Sequence, residues 1–178
     1  GVFIAIVFLD GSNIKIQQKT EIKIESYRLT AKELKTSLQM SKGQAWSNVA
    51  AQGGGEFTIS TPTATASVKG TELDIAFDIG SDETTLTVVD GEVNLFNDMG
   101  MVKAGPMTSA KVTKNEKPSE PIKISPDDLP TWQTKTDPDW AFKLKPDKQG
   151  KQPVGEIIKV SVQILNAKEK KFDDSFAG

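Results

Sequence analysis

The feature that most constrains this chain is a two-residue alternation of apolar and polar side chains, carried in short segments up to about residue 112. Ile14-Lys15-Ile16 and Glu21-Ile22-Lys23-Ile24-Glu25 show it, as do Phe57-Thr58-Ile59-Ser60 and Leu73-Asp74-Ile75-Ala76-Phe77. Successive side chains on a strand point to opposite faces, so each segment reads as a half-buried strand. Thr84 to Val89 and Glu92 to Phe96 continue the series with threonine and valine, whose branched Cβ suits a pleated surface. The apolar run Val2 to Leu9 is too short to cross a bilayer and reads as a buried strand. Only 37% of residues are hydrophobic and the mean hydropathy is −0.36, which suits a thin β architecture with many strands exposed on one face. The expected fold class is all-β.

Glycines punctuate the strands. Asp10-Gly11-Ser12, Lys42-Gly43-Gln44, Lys69-Gly70-Thr71 and Asp90-Gly91-Glu92 each join two apolar stretches. Glycine supplies the positive φ that such corners need. The unequal spacing from Gly11 to Gly43, Gly70 and Gly91 excludes a strict-period solenoid. Two readings stay open: ordinary hairpin turns, or a β-solenoid whose coils carry insertions. Thr30-Ala31-Lys32-Glu33 has capping-box spacing for a helix, but Leu34, Leu38 and Met40 favour a strand from Leu34 to Ser41. Gln52-Gly53-Gly54-Gly55-Glu56 lacks the Gly-Lys-Ser/Thr and helix of a phosphate loop and reads as a flexible turn.

Seven of the nine prolines lie between Lys114 and Pro153, where they remove backbone donors and break ladders. This stretch reads as an extended connector, with Trp132, Trp140, Phe142 and Leu144 needing burial against something. Strand character returns from Glu156 to Leu165. Asn166 to Glu169 reads as a turn and Lys171 to Phe176 as a short returning strand. The expected organisation is a β domain over 1–113, a proline-rich connector over 114–153, and a C-terminal β-hairpin segment over 154–178. That segment either opens a further β-sandwich or packs back on the first domain. Neither end carries a start or stop signal, so the chain reads as a piece of a longer protein.

Composition excludes several function classes. Twenty-two basic and 24 acidic residues give a net charge of −2, too little positive charge to hold a nucleic-acid backbone or an anionic membrane. There is no cysteine, hence no disulfide or thiolate site, and no histidine, the usual general base and zinc ligand. An enzyme would have to work with carboxylates, lysines or Tyr27, the one tyrosine. Asp78, Asp82 and Glu83 around Gly80 lack the patterned loop of a calcium site and read as solvated turn charge. Ser41 and Lys42 are adjacent on a strand, so their side chains should diverge, which argues against a catalytic dyad. The expectation is a non-catalytic module without cofactor or metal.

A resemblance sharpens this. Residues 57–111 run through Thr61-Pro62, then Val68-Lys69-Gly70-Thr71, then the strand Leu73 to Phe77. Thr85-Leu86-Thr87-Val88-Val89-Asp90-Gly91-Glu92-Val93 follows, and Gly105 precedes a last strand. Upstream stand Phe8-Leu9-Asp10-Gly11-Ser12 and Thr20-Glu21-Ile22-Lys23-Ile24. This order of motifs resembles the FecR family over about residues 3 to 112. Leu73 stands where the family usually carries an aromatic, and the family's usual first coil, before Asp10-Gly11-Ser12, is largely missing.

The resemblance implies an extracytoplasmic all-β domain, solenoid-like or a β-roll, with Asp10, Gly11, Ser12, Val68, Gly70, Thr71, Asp90, Gly91 and Val93 as its structural motif residues. It implies no cofactor. Family members in cell-surface signalling add a cytoplasmic anti-sigma segment and one membrane helix, neither of which is found in these residues. The expected function is a protein-interaction module of envelope signalling, located in the periplasm or at the cell surface and contacting its protein partner by strand addition. The alternatives are a scaffolding unit of a larger surface protein and a carbohydrate-binding module using Trp132 and Trp140, whose bland counterpart is stapling of the connector.

Overall fold

The computed structural model describes residues 3–8, 10–28, 34–51, 56–132, 140–146 and 160–166. Among them the fold is nearly all-β: the regular elements are strands, with one 3-10 turn at Pro126–Asp128. The organising element is β4 (Leu34–Asn48), a strand of 15 residues. Its first half pairs antiparallel with β3 (Glu21–Arg28) and parallel with β5 (Glu56–Ser60). Its second half lies between β2 (Asn13–Gln17) and β7 (Glu72–Asp78), antiparallel to both. One long strand therefore belongs to two half-sheets, and the sheet curls at the point where it passes from one to the other.

That point is Gly43, with φ 98. A Cβ there would lie 2.5 Å from Thr20 Cα, so only glycine fits the corner. The Thr20 hydroxyl accepts the Gln44 N–H at 3.0 Å, a bond that a side chain supplies at the bend in place of the regular ladder. The β3–β4 register slips beside it, between Glu21 and Ile22. The Lys42-Gly43-Gln44 motif is thus a corner inside one strand rather than a hairpin turn. The strand expected from Leu34 to Ser41 is present and runs on to Asn48. The capping-box segment 30–33 and the glycines 53–55 lie outside the described residues.

One half-sheet runs β3, β4, β5, β6 (Thr65–Val68), β9 (Val93–Asn97) and β10 (Gly100–Ala104). The other runs outward from β4 on two sides. On one side stand β7, β8 (Glu83–Asp90), β11 (Thr108–Thr113) and the two-residue β12 (Ile122–Lys123). On the other stand β2, β1 (Phe3–Val7), β13 (Trp140–Pro146) and β14 (Val160–Asn166). Leu38, Phe57 and Ile59 of the first half-sheet and Ile14, Ile75 and Leu86 of the second are almost fully buried in one shared core. Their positions follow the alternation in the sequence, and burying such side chains away from water supplies the main stabilisation.

The proline-rich stretch contributes strands of its own. β12 pairs with β11, and β13 pairs parallel with β1 through Ile4 opposite Trp140. β14 pairs with β13, so the second hairpin strand comes from 160–166 and the partner from the connector. The expected returning strand at 171–176 lies outside the described residues.

Candidate functional site

Three places carry the residues singled out from the sequence. The first is a stack of turns at one end of the sheet. The Asp10 carboxylate accepts the Ser12 N–H at 2.9 Å and the Ser12 hydroxyl at 3.0 Å, closing the β1–β2 turn around Gly11, whose φ is 87. The buried Ser12 Oγ also accepts the Ala50 N–H at 3.0 Å. Next to it Val49 and Thr71 exchange backbone hydrogen bonds of 2.9 and 3.1 Å. The Thr71 hydroxyl, itself buried, donates to the Glu92 carbonyl at 2.9 Å. A Cβ on Gly91 would meet Gly70 O at 2.7 Å and Thr71 Oγ1 at 2.8 Å. Asp10-Gly11-Ser12, Val68-x-Gly70-Thr71 and Asp90-Gly91-x-Val93 are thus brought together: each turn is bonded to or packed on the next, while Val68 and Val93 anchor the stack in the core. The Asp10, Ser12 and Thr71 side chains thus all hydrogen-bond within the stack.

The second place is the outer face of the half-sheet around β7. Cross-strand pairing places Lys15, Trp46, Asp74, Thr87 and Ser109 in one row. The chain after β12 crosses this face and lays Trp132 edge-on against Phe3, ring centroids 6.2 Å apart. The Lys15 ammonium sits over the Phe3 ring at 5.5 Å. Trp46, 5% exposed, donates its Nε1–H to Glu72 at 3.0 Å. Asp74 is buried beneath this cover with its Oδ1 accepting Gln44 Nε2 at 2.7 Å. Burial pushes its carboxyl up to about 7, against the opposing effects of Gln44 and Trp132. Asp74 Oδ2 and Trp132 Nε1 are both buried, and neither completes a hydrogen bond of good geometry. Trp132, half-buried, therefore packs the proline-rich stretch against β1. The Trp140 side chain lies outside the described residues.

Sequence reading missed Asp74 because it occupies a polar position in a regular alternation. Only the late arrival of Trp132 turns that outward face into a dry one. Ser41 and Lys42 also differ from expectation. Both reach Glu21, Ser41 Oγ at 3.3 Å and Lys42 Nζ at 2.6 Å, because the bulge beside Glu21 breaks the regular divergence of neighbours. The ion pair holds the Glu21 carboxyl below its ordinary range. At the acidic turn, Asp78 accepts the Gly80 N–H at 2.8 Å, while Asp82 and Glu83 pair with Lys114 and Lys111. Among the described residues no three potential ligands cluster for a metal.

The third place is the edge at β10, which among the described residues pairs with β9 alone. Phe96 and Met101 stand directly opposite each other across that pair. They are 38% and 67% exposed, and Met99 in the connecting turn is 63% exposed. Phe96, Met99 and Met101 thus leave an apolar cross-strand pair and its connecting turn exposed beside this edge.

The FecR protein family matches residues 1–94 of this chain. Two crystal structures, at 1.65 and 2.50 Å, of a protein from Parabacteroides distasonis described as a "putative anti-sigma factor" share the fold. Each superposes with a TM-score of 0.56 at 18% identity, covering 70% of this chain and 56% of that one. The chain thus spans little more than half the length of that protein. No curated protein matches. Among the described residues no helix is long and apolar enough to cross a membrane.

Proposed function

The chain belongs to the FecR family, whose match covers more than half of it, and we propose that it is a non-catalytic, extracytoplasmic protein-interaction module of envelope signalling. Family membership supports a regulatory role. The described fold of the Parabacteroides distasonis protein, named for anti-sigma activity, is consistent with that role. The single observation that carries the interaction reading is the open edge of β10 with Phe96, Met99 and Met101 exposed beside it.

Strand addition needs free backbone groups along an edge and alternate side-chain seats beside it, and β10 supplies both. The partner is accordingly an extended segment of an envelope protein with apolar residues at alternate positions. The stacked motif turns would then act as scaffold, holding the strands that end in this edge. The boundaries 1–113, 114–153 and 154–178 and the solenoid-like description belong to the same proposal. They rest on the family resemblance and on the composition change at Lys114.

The test is site-specific photo-crosslinking in the native bacterium, with a photoreactive residue replacing Met101 and, as control, Lys69 at the opposite end. The expected outcome is a discrete envelope-protein adduct from position 101 and none from position 69. The same adducts from both positions, or none from position 101, would count against the edge. Adducts confined to soluble cytoplasmic proteins would remove the extracytoplasmic reading.

A further inference from the structure

Residues 119–124 run along the edge of β11, and residues 125–132 continue as a strap across the outer face of the half-sheet that contains β7. Ser119 N–H donates to the Lys111 carbonyl at 2.9 Å, and Ile124 N–H to the Met107 carbonyl at 3.0 Å. Beyond Ile124 the strap turns through Pro126–Asp128, closed by its own bonds from Ser125 to Asp128 at 2.8 Å. It then seats Trp132 on Phe3 and above Asp74. Near its far end the strap thus makes an aromatic contact with Phe3 and covers a buried carboxyl group.

That carboxyl is poorly provided for as an anion. Its Oδ1 accepts from Gln44, while Oδ2 completes no hydrogen bond of good geometry; the Trp132 indole N–H favours the anion, but burial outweighs it. The charged groups around it are committed elsewhere. Glu72, two residues back on the same face of β7, accepts from Trp46. Lys15, on β2 beyond Trp46, lies over the Phe3 ring. From β8 the residue opposite is the uncharged Thr87, and farther along that strand Glu83 is paired with Lys111 of β11. On the strap itself Asp128 caps Ser125 and, like Asp127, is exposed. No cation figures among the causes that set the protonation of Asp74.

We propose that Asp74 and Trp132 form a protonation-dependent latch, closed while Asp74 is a neutral acid and released when it becomes a carboxylate. A neutral carboxyl tolerates the cover. A carboxylate with an unfilled acceptor is stabilised by water, which reaches it only when the strap lifts. Asp74 titrates near neutral pH while the strap is closed, which places the switch in a usable range. Lifting the strap bares the buried ring of Phe3, on which Trp132 packs edge-on in the closed state.

The test is amide hydrogen exchange of residues 124–132 in the full chain, at about pH 5 and about pH 8.5, corrected for intrinsic exchange rates. The opening constant is expected to rise by about a hundredfold if opening fully hydrates the carboxyl. Asp74→Asn, which cannot ionise, should flatten the response. A rise below about threefold in the unmodified chain, or an undiminished rise in Asp74→Asn, overturns the latch. Should Asp74→Asn fail to fold, NMR titration of the Asp74 carboxyl carbon in the unmodified chain decides. Its midpoint must coincide with the midpoint of strap opening, and separate midpoints overturn the proposal.

Discussion

Two residues show how position decides what a side chain, or its absence, is worth. Gly11 and Gly91 both adopt positive φ, 87 and 84. Nothing lies within 4 Å of a Cβ built on Gly11, whereas one on Gly91 collides with Gly70 and Thr71. Gly11→Ala should therefore cost about 1 kcal/mol from backbone strain alone. Gly91→Ala should cost at least about 3 kcal/mol, since it adds overpacking and displaces the Thr71 hydroxyl from the Glu92 carbonyl. Urea denaturation of both variants checks the ranking, and equal losses would contradict it. Among the described residues Asp74 carries the largest shift and so the largest pH-dependent share of stability. Its folded pKa is about 7, raised above an ordinary value of 3.8. The unfolded chain therefore releases this proton first as pH rises. Stability conferred by the neutral acid is complete below about pH 4, declines through the window up to about pH 7, and is gone above it. The decline is on the order of 4 kcal/mol. Glu21 and Asp128 are shifted downward and are exposed, so they act in the opposite sense at acid pH and only weakly. Denaturation midpoints measured from about pH 4 to pH 8 should fall in the unmodified chain and stay nearly level in Asp74→Asn.

At the scale of elements, the sequence was most readable where burial has one side. The alternating segments at Ile14, Phe57 and Leu73 each became a strand, and their apolar members entered the shared core. The four motif glycines, 11, 43, 70 and 91, all adopt positive φ. The sequence does not set Gly43 apart from the other three, because a corner within a strand and a turn between strands demand the same backbone freedom. What distinguishes them is Thr20, more than twenty residues away in sequence, whose hydroxyl takes up the Gln44 N–H. Asp74 was invisible for a related reason. Its position in the alternation says solvent, and the side chain that excludes solvent belongs to the strap. The Ser41–Glu21–Lys42 contact likewise depends on a register slip that no local pattern announces. Alternation reports the nearest sheet face well and says nothing of a second layer laid on the other face.

Over the whole molecule these features divide the work. A curled sheet with one shared core supplies rigidity, the motif turns fasten one end of it, and β10, paired among the described residues with β9 alone, presents exposed apolar residues. The strap covers a separate face, so latch and edge can fail independently. The composition provides a clean probe of the central claim, because the chain has no cysteine of its own. Met101→Cys and, as reference, Lys69→Cys would be introduced into the full-length protein. Both would be treated with a membrane-impermeant maleimide in cells with a permeable outer and intact inner membrane. The account predicts rapid labelling at position 69 and labelling at position 101 slowed by about tenfold or more by a seated partner strand, with equal rates in the purified protein. Labelling of either cysteine only after lysis would contradict an extracytoplasmic module, and equal rates at both positions in cells would contradict a partner on β10.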